Sequence, residues 1–527
     1  MAYDVVVIGA GHNGLIAAAM LARAGLRTIV LERRDLVGGC AATDEIAPGF
    51  RVPTLAHRMA IDRTVLRELQ LERHGLRILR PGAFACAPMQ DGRALTLWAA
   101  PGRACRDIAT FSPADAARYP AFLESVDRIS TVVRGLLDTA PPNLDGSGAA
   151  DLMTLLRLGR RFRALGPTDA YRLLRWLPMP VADLAAEWFQ SEPLRALVAA
   201  DGVFGSMLGP RSAGSAAVML LLASGEGRPI APGWIPRGGM GALGRALAAA
   251  AREASVEIRT DAPVSQIKVG DQGAMGVVLD SGEEIDAARV VSALDPRRTF
   301  LHLLDPIHLA PEFMRRAQNI RMRGTLAKVN FALSGAPAFM GLSTLDAAER
   351  SAAMSGCVRL GPSTDAIERA FDAAKYGRFA DEPWIELAIP SLVDETLAPS
   401  GQHVASAYVQ FVPHTLKDAD WATERERLGD VTVRTIARYA PGFERLVIAR
   451  EVLTPVDLEQ QMGLTGGQIF HGEIALDQLA VARPVLGWSH YRTPIRNLYL
   501  CGAGTHPGTG LDGRSGLLAA RAILRER

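Results

Sequence analysis

Hydrophobic and polar positions fall into blocks along this chain, and the period within the blocks changes from strand to helix and back. The first block, Asp4-Val5-Val6-Val7-Ile8, is apolar and β-branched without alternation. That is the pattern of a parallel strand buried on both faces. Residues 15–23 are rich in Ala and Leu and predict a helix, and Thr28-Ile29-Val30-Leu31 is a second buried strand. Residues 83–98 give two alternating strands around Asp91-Gly92, a hairpin signal. From about residue 113 to residue 225 the period is helical, with the longest apolar run at 216–223. A further Ala/Leu helix is expected up to about residue 254, followed by strands at 256–259, 264–269, 274–279, 283–286 and 289–293. Strands at 327–333, 384–390 and 404–412 mix with helices such as 421–439. Leu498-Tyr499-Leu500-Cys501 is a last buried strand, and a helix over 513–525 closes the chain. The predicted fold class is α/β, with a sheet-and-helix insertion.

The turns carry the chemistry. Gly9-Ala10-Gly11-His12-Asn13-Gly14 joins the first strand to the first helix, and Glu32 ends the second strand eighteen residues after Gly14. Gly9 permits a tight turn, Gly11 lets backbone approach a pyrophosphate, and Gly14 lets the helix pack close on the strand. The helix N-terminus offers N–H groups and the positive end of its dipole to phosphate. Glu32 is placed to accept hydrogen bonds from ribose hydroxyls. A loop through Arg33, Arg34, Gly38 and Gly39 returns beneath this turn. At the far end of the chain, Gly502-Ala503-Gly504-Thr505-His506-Pro507-Gly508 follows the last strand. It is a second glycine turn, of the kind a long dinucleotide needs for its other half.

Composition narrows the setting. In 527 residues there is room for two or more domains, and 48% apolar with 22% charged residues is the balance of a soluble globular protein. A net charge of +2 gives no field to attract nucleic acid. Five widely spaced cysteines without a C-x-x-C pair exclude a metal knuckle or redox dithiol of that kind and suggest a reducing, cytoplasmic setting. The first strand begins at once, leaving no room for a signal peptide, and no apolar run is long enough to span a bilayer. A basic amphipathic stretch from 155 to 165, with Leu155, Leu158, Phe162 and Leu165 on one side, is a candidate for peripheral membrane contact or for ordinary packing on the core.

Four blocks together resemble the phytoene-desaturase-related FAD oxidoreductases. They are the N-terminal turn with Glu32 and Gly38-Gly39, Pro236-Arg237-Gly238-Gly239-Met240, residues 290–296, and residues 500–508. The stretches 465–473 and 491–494 point to a branch similar to the pyridine nucleotide-disulphide oxidoreductase domain 2 group. The resemblance implies a discontinuous Rossmann-like FAD-binding domain (1–66, 230–310 and 486–527) and an inserted substrate domain of mixed sheet and helices (67–229 and 311–485). It also implies FAD contacts from Gly9, Gly11, Gly14, Glu32, Arg33, Gly38, Gly39 and Val264, and from Gly502, Gly504, Thr505 and Gly513 in the C-terminal turn. Non-covalent FAD is expected.

The chemistry that fits is hydride removal from an apolar, lipid- or polyene-like small molecule. The alternatives are a redox-neutral isomerase or saturase, an amine oxidase, and a non-catalytic FAD-binding scaffold. Asp512 departs from the family, which usually has a small or apolar residue there. It is either a cap for the closing helix or a proton-handling carboxyl beside the flavin. His506 is a second catalytic candidate, and His471 either serves catalysis or satisfies backbone groups. His57-Arg58, followed by apolar residues near the expected flavin entrance, reads as a surface pair in preference to a substrate clamp. Gly238-Gly239-Met240-Gly241 has the wrong spacing for a second dinucleotide and follows Pro236 rather than a strand. Oxygen or a quinone is therefore the expected electron acceptor.

Overall fold

The computed structural model describes residues 3–142, 148–226 and 233–526. Its first layer is a five-stranded parallel sheet, in the order Leu498–Leu500, Val290–Ser292, Val5–Ile8, Thr28–Leu31 and Glu257–Arg259. Four of the strands are short and apolar because both faces are covered, while the edge strand Glu257–Arg259 is partly exposed and carries two charged residues. The helices His12–Arg23, Gly241–Glu253 and Arg514–Leu524 pack together over one face, and their Ala and Gly positions allow close approach. The expected run of strands after residue 256 divides in two. Glu257–Arg259 joins the parallel sheet beside Thr28–Leu31, while Val264–Gly270, Gly273–Leu279 and Glu284–Asp286 form an antiparallel sheet of their own.

The second layer is a seven-stranded sheet, in the order Val447–Leu453, Leu326–Leu333, His403–Gln410, Ile385–Ala388, Cys357–Leu360, Ala83–Pro88 and Ala94–Trp98. The last two strands are the predicted hairpin around Asp91-Gly92, with Gly92 at φ +84°. The predicted helical region is a set of helices led by Pro113–Leu137 and Ser215–Glu226, packed on this sheet in the largest apolar core. Among the described residues, no helix is long and apolar enough to cross a membrane.

The Gly238–Gly241 stretch does follow a strand, but a two-residue one, Ile235–Pro236, paired antiparallel to Ile78–Leu79 and outside the parallel sheet. Its groups are used for packing. Gly238 N–H donates to Asp394, and Gly241 N–H donates to Thr43 Oγ1. A Cβ on Gly244 would come within 2.8 Å of the Gly38 Cα. These glycines seat a helix against the 38–43 loop.

Candidate active site

One cavity of about 480 Å³ runs between the two sheets. Its floor is the N-terminal glycine turn. Gly9, Gly11, Gly14, Glu32, Arg33, Gly39 and Val264 all line it, joined by His12, Arg34 and Arg298. Gly38 lies just behind, at φ +117°, with its N–H on the Ala10 carbonyl at 2.9 Å. Gly9 also has a positive φ, +97°. A Cβ on Gly14 would stand 2.1 Å from the Gly9 carbonyl oxygen, which makes glycine obligatory there. A Cβ on Gly11 would meet nothing within 4 Å, because that position opens on the cavity. Glu32 is held by N–H donors from Ala10 (2.8 Å) and Arg34 (3.0 Å), so its carboxylate is oriented at the end of the second strand.

The C-terminal turn contributes differently from its sequence. Ala503, Thr509, Gly510 and Leu511 line the cavity. Gly502, Gly504, Thr505 and Gly513 stand behind that wall. Gly502 lies against the Ala293 and Leu294 carbonyls, and Gly504 against Pro296. The Thr505 hydroxyl donates to the Gly502 carbonyl at 2.8 Å, and Gly513, at φ +75°, packs on Ile16 and Ile61. Asn13 ties the two ends of the chain together, its Oδ1 accepting from Gly516 N–H at 3.1 Å.

Asp512 is buried one contact behind the lining, where it accepts a hydrogen bond from the Thr509 hydroxyl. Its Oδ1 accepts from Arg514 N–H at 2.9 Å, a capping bond made one residue before the helix's own boundary residue, Gly513. Arg514 binds Asp512 (3.2 Å), Asp62 (2.9 Å) and Asp138 (2.9 Å) together. His506 is buried away from the cavity. Its Nε2 lies 3.1 Å from the Leu136 carbonyl, and burial pulls its pKa down to about 4. His471 does line the cavity, buried and neutral-leaning because desolvation lowers its pKa.

Arg483, fully buried, holds the segments behind this wall. Its guanidinium donates to the carbonyls of Phe470 and Ala503, both cavity-lining residues, and also to those of Gly472, Glu473 and Gln478.

The other side of the cavity is walled by apolar residues: Phe84, Phe122, Val126, Phe204, Met219 and Leu222. Its sheet face carries a row of polar residues across adjacent strands. Arg359 pairs with Glu386, Glu386 with Tyr408, and Tyr408 with Lys328. Lys328 is fully buried, and desolvation lowers its pKa well below the ordinary value. It donates to the Leu55 carbonyl and lies 5.2 Å from the Tyr408 ring centre. His57 stacks on Tyr408 at 3.7 Å, and its Nε2 is 3.1 Å from Ser406 Oγ. Here the structure corrects the sequence reading of a surface pair. His57 is buried, and both His57 and Arg58 line the cavity, because the 55–58 segment runs between the two layers.

Sequence reasoning also missed Lys328, Arg359 and Glu386. A signal existed, since each is an ionisable residue inside an otherwise apolar strand, where such residues are rare without a task.

The floor suits FAD. His12 Nε2, Arg34 Nη1, Arg298 Nε and His471 Nδ1 are buried polar atoms with no hydrogen-bond partner among the described residues, and all four residues line the cavity. The three arginines there, Arg33, Arg34 and Arg298, supply positive charge at the helix N-terminus where a pyrophosphate is held.

Comparison with known proteins agrees with this geometry. The sequence profile of the "Flavin containing amine oxidoreductase" family matches residues 14–524. The chain is 38% identical to "Pyridine nucleotide-disulfide oxidoreductase domain-containing protein 2" of Rattus norvegicus, over 99% of this chain and 94% of the relative. It is 27% identical to "Phytoene desaturase (lycopene-forming)" of Pantoea ananas, over 98% of each chain. Among solved structures, wild-type putrescine oxidase bound to putrescine superposes with a TM-score of 0.61 over 100% of both chains at 16% identity, a likeness of fold.

Proposed function

The chain belongs to the flavin containing amine oxidoreductase family and its cofactor is FAD, and from that premise we propose that it dehydrogenates a lipid- or polyene-like substrate by hydride transfer to the flavin. The observation that carries this reading is the apolar arm, with Phe84, Phe122, Phe204, Met219 and Leu222 in the same cavity as the glycine floor. When bound, FAD supplies a two-electron acceptor. The chain's own work is to position the substrate and keep water out. The aromatic walls and the Met219–Leu222 side of the long buried helix do this. Burial lowers the pKa of both His57 and Lys328, which disfavours a charge on either at the sheet face. We read Asp512 as a cap and an anchor for Arg514 rather than a proton donor.

We further propose that residues 1–66, 230–310 and 486–527 form the FAD part and residues 67–229 and 311–485 the substrate part; the boundary at 229/230 falls outside the described residues. Oxygen or a quinone is the proposed acceptor, and the cytoplasm the proposed setting. Membrane contact has support from Leu152, Met153, Leu155 and Leu156, which are exposed on the helix Ala149–Ala164 beside Arg157, Arg160 and Arg161. The side expected from the sequence is divided, since Phe162 and Leu165 pack on the core while Leu155 faces out. Flotation with anionic vesicles at low salt tests the contact, and absence of co-migration removes it.

A second reading, amine oxidation, has support from the match to the flavin containing amine oxidoreductase family. Anaerobic addition of apolar alkanes, alkenes and terpenoids to the purified flavoprotein tests the main reading. Bleaching of the visible flavin band by one of them is expected. Bleaching by none of them, nor by amines, leaves a flavin-binding scaffold.

A further inference from the structure

The apolar arm of the cavity needs no ions in its wall, yet four ionisable residues stand there, apart from those of the floor. Arg58, Asp201, Arg359 and Glu386 line it beside Phe84. Arg359 is the centre of the group. Its Nε donates to Glu386 Oε2 at 3.0 Å, its Nη1 to the Leu197 carbonyl at 2.8 Å, and its Nη2 to Asp201 Oδ1. Arg58 Nη1 donates to Cys357 Sγ at 4.0 Å and lies 3.8 Å from Glu386 Oε1 as an ion pair, and its guanidinium sits 5.9 Å from the Phe84 ring centre. The four come from separate parts of the chain: a loop, the end of the helix Glu192–Asp201, and the strands Cys357–Leu360 and Ile385–Ala388. Burial raises the Asp201 pKa while the Arg359 guanidinium beside it pulls the other way. Burial also disfavours a charge on the neighbouring His57 and raises the Cys357 thiol to about 12.

A buried ion network is a poor device for stability, because apolar side chains of the same volume generally do as well or better. Its presence on a ligand-lining surface therefore points to recognition. Two guanidiniums and two carboxylates cancel. A ligand ending in an ammonium or a carboxylate would leave the group with an unbalanced buried charge, and a plain hydrocarbon would leave its polar atoms facing methylene. A hydroxyl suits it on both counts, since its O–H donates to a carboxylate while its oxygen accepts from a guanidinium.

We propose that the Arg58–Asp201–Arg359–Glu386 cluster binds the uncharged hydroxyl end of an otherwise apolar substrate, so that the substrate class is a long-chain or terpenoid alcohol. This rests on the dehydrogenase reading for its place in the reaction, but binding can be measured without turnover.

The test is calorimetric titration of the oxidised flavoprotein under anaerobic conditions with decanol, decane, decanoate and decylamine. Decanol is expected to bind about tenfold more tightly than decane, as one or two net hydrogen bonds imply, and more tightly than either ion. Arg58→Met and Asp201→Asn should each remove most of that preference, read as the ratio of decanol to decane affinity within each variant, at full flavin content. Equal binding of decanol and decane by the wild-type protein overturns the proposal, and that result stands even if both variants misfold. Preference for decanoate or decylamine overturns it too, by making the recognised end ionic. Failure of every ligand to reduce the flavin would count against the dehydrogenase and leave this binding order intact.

Discussion

The two sides of the cavity are built in opposite ways. The floor is backbone: Gly9, Gly11, Gly14 and Gly39 come from one stretch of about thirty residues, and their missing side chains create the surface. The opposite arm is side chain: Arg58, Phe122, Asp201, Met219, Arg359, Glu386 and Tyr408 converge from loops, helices and strands more than 300 residues apart in sequence. A site made of backbone needs a fixed local spacing, so it leaves a motif. A site made of side chains needs only convergence in the fold, so it leaves none. A dinucleotide can be held by the first kind, and a substrate pocket that differs between functions on one fold by the second.

The sharpest break of this comparison is on the floor. Gly11→Val adds its side chain into open cavity space, so the protein should fold with near wild-type stability and purify without flavin. Gly14→Ala should fail to fold, because its Cβ would overlap the Gly9 carbonyl at 2.1 Å. A flavin spectrum and a melting curve for each variant check both statements. A Gly11→Val protein with a full flavin complement would place the cofactor elsewhere.

In the arm, filling space should cost turnover and leave the cofactor alone. Met219→Trp should slow flavin reduction by apolar substrates about tenfold or more, at unchanged flavin content. Loss of flavin in that variant would mean the two regions are not separable.

Buried histidines in several parts of the molecule give stability its pH dependence, and His12 is the one on the floor. Burial holds the His12 imidazole at about 4, below its ordinary 6.5, with Asp512 pulling the other way. The unfolded chain therefore binds the proton first as pH falls. Stability present above about pH 6.5 is lost between there and pH 4, at about 1.4 kcal/mol per unit and so about 3 kcal/mol in all. Denaturant titrations of the apoprotein at the two pH values should show at least that slope, and His12→Gln should reduce it by the His12 share while that of His506 remains.

Asp512 should give the smallest effect. Asn keeps the bond to Arg514 N–H, while Arg514 keeps Asp62 and Asp138. Asp512→Asn should lose about 1–2 kcal/mol of stability and none of the rate. A sharp fall in rate at full flavin content would make Asp512 part of the proton path.

The same contrast explains what was legible in the sequence. The parallel strands, the first glycine turn with Glu32, and the hairpin at Asp91-Gly92 could be read because each depends on neighbours in the chain. The closing turn was legible as a turn, but which of its residues face the cavity depends on how Gly502 and Gly504 nest against Ala293 and Pro296, a tertiary matter. His57-Arg58 looked exposed because polarity alone cannot tell a surface pair from one held between two layers. Lys328, Arg359 and Glu386 were readable only as anomalies within apolar strands. Their meeting point is set by the register of the seven-stranded sheet.

The central claim is that only the floor cradles a dinucleotide and that electrons enter from the apolar arm. Gly238–Gly241, a glycine cluster with a helix behind it, spends its Gly238 and Gly241 N–H groups on Asp394 and Thr43. Anaerobic mixing of the purified flavoprotein with micromolar NADPH or NADH tests this most directly. The account predicts that the visible flavin band persists under nicotinamide and that, once reduced by an apolar substrate, it returns on admission of oxygen or a quinone. Rapid bleaching by NADPH would contradict it, and would favour a saturase or a reduced-flavin isomerase over the dehydrogenase.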